Sequence, residues 1–425
     1  MVPPELNSSL ENSMTSHLWH HRSLLSLLIL LLLGRGFGAA TPPAKKLLVI
    51  SVDGLDHRYL RDRDQLGLRI PNIRRLLKQG RYAQGVVGVY PTITWPSHTT
   101  LITGLRPDQH GILGNRRSRA EGGDYYWTTD LLKAPTLWQT AHDRGWTTAA
   151  VTWPVTVGAP ITFNLPEYFQ RRNGGAMDLE SMASKATPGL AEDIAGAYPS
   201  FPQQWVDDRT RTLAVLYLLR KQTDLILVHL VDLDSEEHDR GPFERNANAI
   251  LELTDELIGQ MLAALPLDYN VALVSDHGFE RVDKIANLPV LLAEKGITGE
   301  LLSMGGIAAT SDPKVAAFLR ESAKKPESGI GREIPHEELV QYAPKLSAML
   351  AVFEPADHVM FGAAAKGPYF VPPAEKGNHG FWPLRPDYRS VFVIFGPGIK
   401  PGVEPEIQMI SIAGRLAAIL GLRFP

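Results

Sequence analysis

Short runs of consecutive apolar residues recur along the chain, and each run ends at an acid, a glycine or a proline. They cover residues 46–53, 147–152, 225–231, 271–275 and 391–395. A continuous apolar run is typical of a strand that is buried on both faces, as in parallel sheets. Helix-like segments separate the runs, among them residues 73–79, 134–144 and 247–264. This alternation predicts an α/β fold in which helices cover both faces of a mostly parallel sheet.

The stretch from 282 to 370 differs from the rest because it lacks strong apolar runs. It contains polar loops such as residues 324–329. We therefore expect an inserted, loop-rich subdomain within one fold. In open parallel sheets ligands bind beyond the carboxyl ends of the strands. The residues that directly follow the apolar runs are thus the first candidates for chemistry.

The N-terminal segment has the pattern of a secretory signal peptide. Ten residues, Leu24 to Leu33, form a nearly pure leucine run that follows Arg22 and precedes Ala39-Ala40. A membrane-spanning helix needs about 20 apolar residues, so this run is too short to span a bilayer. We predict a signal peptide over residues 1–40 and a mature domain over 41–425, exported to the periplasm or the extracellular space. An uncleaved membrane anchor is the alternative.

Composition narrows the possible chemistry. The 425 residues include no cysteine, which excludes disulfides, thiolate metal sites and a cysteine nucleophile. Any metal must therefore be bound by Asp, Glu or His. The formal net charge of −3 lacks the basic excess that binds phosphate backbones. We expect small-molecule substrates, no stable nucleic-acid complex and, after signal cleavage, no membrane contact. The oligomeric state stays open.

Acids and histidines lie at the ends of the predicted strands and in glycine-flanked turns. Their positions are Asp53, Asp234, His238, Asp276, His277 and His379. Residues 234 and 238 are four apart, so on a helix they face the same side and can share a metal. An acidic helix start with an incidental histidine is the alternative for this pair. Glycines on both sides of residue 379 leave the backbone free to bend toward a site.

The nucleophile candidate is Thr94, two residues before Pro96. Proline is favoured in the first turn of a helix, because its missing N–H is not needed there. The threonine hydroxyl would then lie at a helix N-terminus, where N–H groups and the helix dipole favour anions. A plain N-cap role for Thr94 is the alternative.

These motifs, taken in order, resemble the nucleotide pyrophosphatase/phosphodiesterase branch of the alkaline phosphatase superfamily. The resemblance extends from about residue 46 to 398 and also includes Thr103-Gly104, Pro107, His110-Gly111 and Asn115. It implies an alkaline-phosphatase-like three-layer α/β/α sandwich. It also implies two zinc ions per chain, one bound by Asp234, His238 and His379 and the other by Asp53, Asp276, His277 and Thr94.

The same resemblance implies hydrolysis of phosphodiester or pyrophosphate bonds through a covalent Thr94 intermediate, with release of nucleoside monophosphates. Asn115 would hold a phosphate oxygen. Trp95 occupies the place of a base-stacking aromatic residue, and Trp153 and Tyr168 are predicted to complete an aromatic slot. The alternatives are a phosphomonoesterase, a phosphodiesterase for lipid head groups, or an exported metal-binding protein without catalysis.

Overall fold

An eight-stranded sheet forms the centre of the fold. The computed structural model describes residues 46–170, 177–202 and 204–424. The strands in this part of the chain are β1 (Lys46–Val52), β2 (Arg81–Ala83), β3 (Val86–Val87), β4 (Thr148–Val151), β5 (Phe163–Leu165), β6 (Leu225–Leu230), β7 (Tyr269–Val274), β8 (Glu280–Arg281), β9 (Lys284–Asn287), β10 (Leu302–Met304), β11 (Ile307–Thr310), β12 (Ile330–Glu333), β13 (Ala351–Pro355), β14 (Val359–Gly362), β15 (Phe370–Val371), β16 (Gly377–Asn378), β17 (Phe392–Phe395), β18 (Gly402–Glu404) and β19 (Ile407–Gln408).

Helices cover both faces of the sheet. The α-helices in the described part of the chain, including those of the segment 282–370, span His57–Arg61, Pro71–Gln79, Thr94–Thr103, Pro107–His110, Leu137–His142, Leu179–Ala183, Leu190–Ala197, Asp208–Arg220, Asp232–Arg240, Arg245–Ala264, Leu288–Glu294, Pro313–Ala323, His336–Tyr342 and Ile412–Leu420. The predicted helices at 73–79 and 247–264 are confirmed, whereas the segment 134–144 is helical only over Leu137–His142.

The order of the strands in the large sheet is β18-β2-β17-β7-β1-β6-β4-β5. Alternate side chains of β1 enter two separate cores: Leu48 and Ile50 pack on one face, and Leu47 and Val49 pack on the other. Burial on both faces explains why these strands are continuous apolar runs. The predicted three-layer α/β/α fold with a mostly parallel sheet is therefore confirmed.

One predicted parallel strand has the opposite direction. The run 391–395 forms β17, which is antiparallel to both of its neighbours, β2 and β7. The N–H of Ser275, just past the end of β7, donates to the carbonyl of Val391 at 3.1 Å. The chain thus enters β17 at the edge where β7 ends, and an apolar run by itself does not specify strand direction.

Residues 282–370 build two small sheets, with the orders β10-β11-β13-β12 and β14-β9-β15. Phe353 and Leu319 belong to a separate hydrophobic core between these strands and the helix Pro313–Ala323. Residues 44–425 nevertheless form a single compact unit. This arrangement supports our proposal of an inserted subdomain, which is built from short strands rather than loops.

The predicted signal peptide, residues 1–40, lies outside the described residues. Within the part that the structure describes, no helix has both the length and the hydropathy that crossing a bilayer would require.

A buried carboxylate caps one of the core helices from a distance. The helix Pro71–Gln79 has no side-chain cap of its own, since its N-cap residue is Ile70. Asp255, from the helix Arg245–Ala264, instead accepts hydrogen bonds from the backbone N–H of Ile73 at 2.7 Å and of Asn72 at 3.1 Å. Its side chain is fully buried. The two helices are therefore joined by charge-assisted hydrogen bonds.

We predict that Asp255→Ala destabilises the protein by about 1–3 kcal/mol, because it leaves buried N–H groups without an acceptor. Thermal unfolding measures the loss. Asp255→Asn, which keeps one acceptor oxygen, should cost less. Equal melting temperatures for the wild type and Asp255→Ala would contradict the role of this cap.

Candidate active site

Three acids lie at the carboxyl edge of the three central strands. Asp53 follows β1, Asp276 comes two residues after the end of β7, and Asp234 lies in the first turn of the helix that follows β6. Because β7, β1 and β6 are parallel neighbours, these acids meet at one edge. Asp53 and Asp276 are fully buried. The sheet topology thus concentrates negative charge where open parallel sheets bind ligands.

The predicted histidines converge on the same acids. His277 Nε2 lies 3.2 Å from Asp53 Oδ1 and 3.1 Å from Asp276 Oδ2. His238 Nε2 and His379 Nε2 each lie 3.6 Å from Asp234 Oδ1. The rings of His277 and His379 stack with their centroids 3.8 Å apart. The structure therefore brings all six residues together from four separate segments of the chain.

Two groups in this cluster have the geometry of metal sites. Asp53, Asp276 and His277 form one, and Asp234, His277 and His379 form the other, with potential ligand atoms within 4.8 Å of one another in each group. His277 belongs to both. His238 is outside the tight groups, and its Nδ1 lies 3.2 Å from the carbonyl oxygen of Gly377 and 3.2 Å from Glu375 Oε2.

Hydrogen bonding within the protein leaves several atoms of the cluster unsatisfied. Asp53 Oδ1, Asp276 Oδ2, His277 Nε2 and Asp234 Oδ1 are buried and have no partner in hydrogen-bond geometry. Buried polar atoms of folded proteins are nearly always hydrogen-bonded, so each exception requires an explanation. Carboxylate oxygens and imidazole nitrogens that converge on one point can bind a divalent cation. The residues therefore fit a metal site.

Burial disfavours every charged form in the cluster. It raises the pKa of the carboxyl groups of Asp53 and Asp276 well above their usual range, and neighbouring carboxylates add to the rise. It lowers the pKa of His277 and His379, which keeps these imidazoles neutral. For His238 burial acts in the same direction, but Asp234 and Glu375 outweigh it and raise its pKa to about 9. A bound cation would favour the ionised carboxylates.

Thr94 is the first residue of the helix Thr94–Thr103, and its N-cap is Ile93. The hydroxyl of Thr94 therefore does not act as the N-cap, and the residue lines the same cavity as Asp53, Asp234 and His379. Pro96 follows in the first turn, as its ring geometry favours. The nucleophile candidate thus faces the carboxylate cluster at the positive end of a ten-residue helix.

Asn115 is tied to this helix start. The backbone N–H of Trp95 donates to Asn115 Oδ1 at 3.0 Å. Because the N–H can only donate, the bond fixes which end of the amide is oxygen and leaves the NH₂ group as the remaining donor. Asn115 also lines the cavity. At the N-terminus of this helix the Trp95 N–H is used in that bond, and Pro96 has no N–H. The donors that remain there for a ligand are the Thr94 N–H and the Asn115 NH₂ group.

The cavity has a volume of about 450 Å³ and an aromatic wall formed by Trp95, Tyr125 and Phe169. The ring centroids of Trp95 and Tyr125 are 5.0 Å apart, and those of Tyr125 and Phe169 are 5.3 Å apart. The predicted place of Trp95 at the site agrees with this wall. No sequence motif indicated Tyr125 or Phe169, for which closeness in the chain to Asn115 and Tyr168 was the available signal.

The other two predicted aromatic residues need correction. Trp153 is fully buried in the core and stands edge-on to His98, with ring centroids 5.0 Å apart. Tyr168 packs against Trp127 at 5.2 Å. Neither is among the described residues that line the cavity. Trp153 comes two residues after the end of β4, and its sequence position could not reveal that its side chain packs in a hydrophobic core.

Two further charged residues that line the cavity were also missed. Glu167 lies 2.9 Å from the buried ring of His229, and Arg211 donates to Asp208 at 2.9 Å. The one signal for His229 in the sequence is its position inside the apolar run 225–231, where a polar side chain requires a partner.

Comparisons with known proteins agree with this geometry. Residues 47–351 match the family described as type I phosphodiesterase / nucleotide pyrophosphatase. The human bis(5'-adenosyl)-triphosphatase ENPP4 is 23% identical over 409 residues, which cover 91% of this chain and 80% of the relative. The human ectonucleotide pyrophosphatase/phosphodiesterase family member 7 is 24% identical over 426 residues, which cover 94% of this chain and 85% of the relative.

A solved structure of human ectonucleotide pyrophosphatase/phosphodiesterase 5 superposes with a TM-score of 0.64 at 19% identity, and covers 89% of this chain and 96% of its own. The shared fold and the match over most of the chain confirm the resemblance that the motifs indicated. The chain belongs to the type I phosphodiesterase / nucleotide pyrophosphatase family, whose members hydrolyse phosphoric ester and anhydride bonds.

Proposed function

We propose that this protein is an exported, zinc-dependent phosphodiesterase or nucleotide pyrophosphatase that releases nucleoside monophosphates through a covalent intermediate on Thr94. The observation that carries the proposal is the meeting of Thr94 with six potential metal ligands at one edge of the sheet. A protein that only stored or transported a metal would have no need of a hydroxyl at that place.

Zinc is our choice of metal because the site combines carboxylates with imidazoles and lacks thiolates. Asp53, Asp276 and His277 would hold one ion, and Asp234, His238 and His379 the other. His277 would also be available to the second ion, because its ring belongs to both groups of potential ligands. When bound, such ions lower the pKa of an alcohol nucleophile and neutralise charge on the leaving oxygen.

The protein's own residues have separate roles in the reaction. Thr94 Oγ1 would form the new bond to phosphorus while the leaving alcohol or phosphate departs on the opposite side, and water would later cleave the threonine ester. The Asn115 amide and the Thr94 N–H would donate to a phosphate oxygen, where charge builds in the transition state. Asn115 is oriented for this role by its bond to Trp95.

The aromatic wall supports a nucleotide as substrate. Flat rings bind any nucleobase by stacking, with little dependence on its identity. The names of the relatives also support a nucleotide substrate, since one of them is a bis(5'-adenosyl)-triphosphatase. The murine ectonucleotide pyrophosphatase/phosphodiesterase 5 was solved as an inactive variant in complex with AMP. Export is supported by the signal-peptide pattern and by relatives named as ectonucleotide enzymes.

The charge of the cavity favours diesters over monoesters. A dianionic monoester needs an additional cation, and among the residues that the structure describes Arg211 is the one whose guanidinium group lines the cavity wall. Its NH1 atom, however, lies 2.9 Å from Asp208 and 3.5 Å from Asp232, so its charge is already compensated. A phosphomonoesterase or lipid-head-group activity is therefore the second choice.

The first prediction concerns the metal. Asp53→Asn and Asp234→Asn should each lower the zinc content of purified protein, because each removes a carboxylate from a different group of ligands. Elemental analysis after dialysis against zinc measures this. Asp255→Asn changes a buried acid far from the cluster and should keep the wild-type content. Unchanged zinc in both site variants would contradict the assignment.

The second prediction concerns the reaction. The zinc-loaded enzyme should have a higher kcat/KM for a nitrophenyl ester of thymidine monophosphate than for nitrophenyl phosphate, and a chelator should abolish both activities. Thr94→Ala should lower kcat by about 10³-fold or more, because the nucleophile is lost. Thr94→Ser, which keeps a hydroxyl, is the matched control. A preference for the monoester would support the phosphatase alternative.

The third prediction concerns the base. Trp95→Ala should weaken use of the nucleotide ester by about 1–3 kcal/mol, roughly 5- to 150-fold in kcat/KM, because one stacking surface is lost. Methyl nitrophenyl phosphate has no base, so its hydrolysis should change much less. An equal loss for both esters would mean that Trp95 acts on the catalytic helix rather than on the base.

A further inference from the structure

A buried histidine connects the carboxylate cluster to a second acid. His229 lies in β6, beside Ser51 of β1, and is fully buried. Its Nε2 atom lies 2.9 Å from Asp53 Oδ2, and its Nδ1 atom lies 2.9 Å from Glu167 Oε2. Glu167 is itself only 4% exposed. A carboxylate–imidazole–carboxylate chain therefore runs from the cavity wall to a proposed metal ligand.

The backbone around this chain is held in an uncommon conformation. Thr152, at the end of β4, has a φ of 48°, and Val155 has a φ of 61°. Such values are rare for β-branched residues and persist only where the surrounding structure enforces them. The turn places the Thr152 carbonyl 3.1 Å from His229 Nδ1, and the Thr152 hydroxyl donates to the His229 carbonyl at 2.8 Å. His229 is thus fixed at both its ring and its backbone.

The two oxygens of Asp53 have different surroundings. Oδ2 lies within hydrogen-bond distance of His229, whereas Oδ1 has no hydrogen-bond partner and faces His277 Nε2 at 3.2 Å. A carboxylate bonded through one oxygen cannot rotate freely about its last torsion, so the other oxygen is presented in one direction. Groups that orient a ligand in this way typically change metal affinity by about 10- to 100-fold.

We propose that His229, oriented in turn by Glu167, is a positioning residue that presents Asp53 Oδ1 to the ion held by Asp53, Asp276 and His277. This inference rests on the proposed metal-dependent function and adds a residue to it that none of the sequence motifs contains. His229 itself does not touch the substrate or the ion in this role.

Two substitutions separate positioning from packing. The amide nitrogen of glutamine reaches about as far as Nε2 of histidine, and that of asparagine about as far as Nδ1. His229→Gln therefore keeps a donor for Asp53, whereas His229→Asn keeps only the donor on the side of Glu167. We expect His229→Asn to weaken zinc binding by about 10- to 100-fold at one of two sites and His229→Gln to retain most of the affinity.

The measurement is competition for Zn²⁺ between metal-free protein and a chromophoric chelator, together with the visible spectrum of the Co²⁺-loaded protein. His110→Gln is the matched control, because His110 is also buried but bonds to Thr100 Oγ1, the Ile112 N–H and the Pro96 backbone rather than to an acid of the cluster. It should leave zinc affinity unchanged. Melting temperatures of the metal-free forms verify that each variant is folded.

Equal zinc affinity in the wild type and both His229 variants would overturn the proposal, as would an equal loss in both. If His229→Asn does not fold, Glu167 provides the same test. Glu167→Ala should weaken zinc binding, whereas Glu167→Gln keeps an acceptor oxygen for Nδ1 and should not. Failure of the wild type to bind two zinc ions would instead contradict the proposed function, so the two failures are distinguishable.

Discussion

Asp53 and Asp276 are buried, and Asp234 is half-buried beside them, at the edge where three neighbouring parallel strands end. The surrounding residues have to offset the repulsion between these three carboxylates. Backbone strands of a sheet lie about 4.8 Å apart, so acids at adjacent strand ends cannot separate. Neutral imidazoles, a backbone N–H from Gly54 to Asp276 Oδ1 and the ring of His229 surround them. What remains unpaired faces inward, toward the place of a cation.

The position of Thr94 in the cavity depends on the same edge of the sheet. The helix Thr94–Thr103 packs on one face of the sheet through Leu101 and Ile102, and its N-terminus therefore points at the acids. The His98 ring, one turn into that helix, bonds the Thr94 carbonyl at 2.9 Å and Ser51 of β1 at 2.9 Å. The nucleophile candidate is thus held against the strand that carries Asp53, so its distance from the acids does not depend on a surface loop.

The aromatic wall of the cavity comes from other segments of the chain. Tyr125 and Phe169 come from irregular segments, and together with Trp95 they make a wall of rings opposite the acids. Sequence variation in such segments leaves the groups at the sheet edge in place, because the sheet and the helix position those groups. Arg211 also lines the cavity, and Asp208 and Asp232 compensate its charge.

The fold class, the family and the acids and histidines of the candidate site could be predicted from the sequence, because apolar runs and the order of motifs are local properties of the chain. The sequence also placed Thr94 at a helix start through Pro96. Only the tertiary structure decided the direction of β17, the burial of Trp153, the choice of Tyr125 and Phe169 for the aromatic wall, and the contact of His229 with Glu167, 62 residues away in the chain. These features depend on which distant segments pack together, and side-chain packing across a core leaves no periodic trace in the sequence.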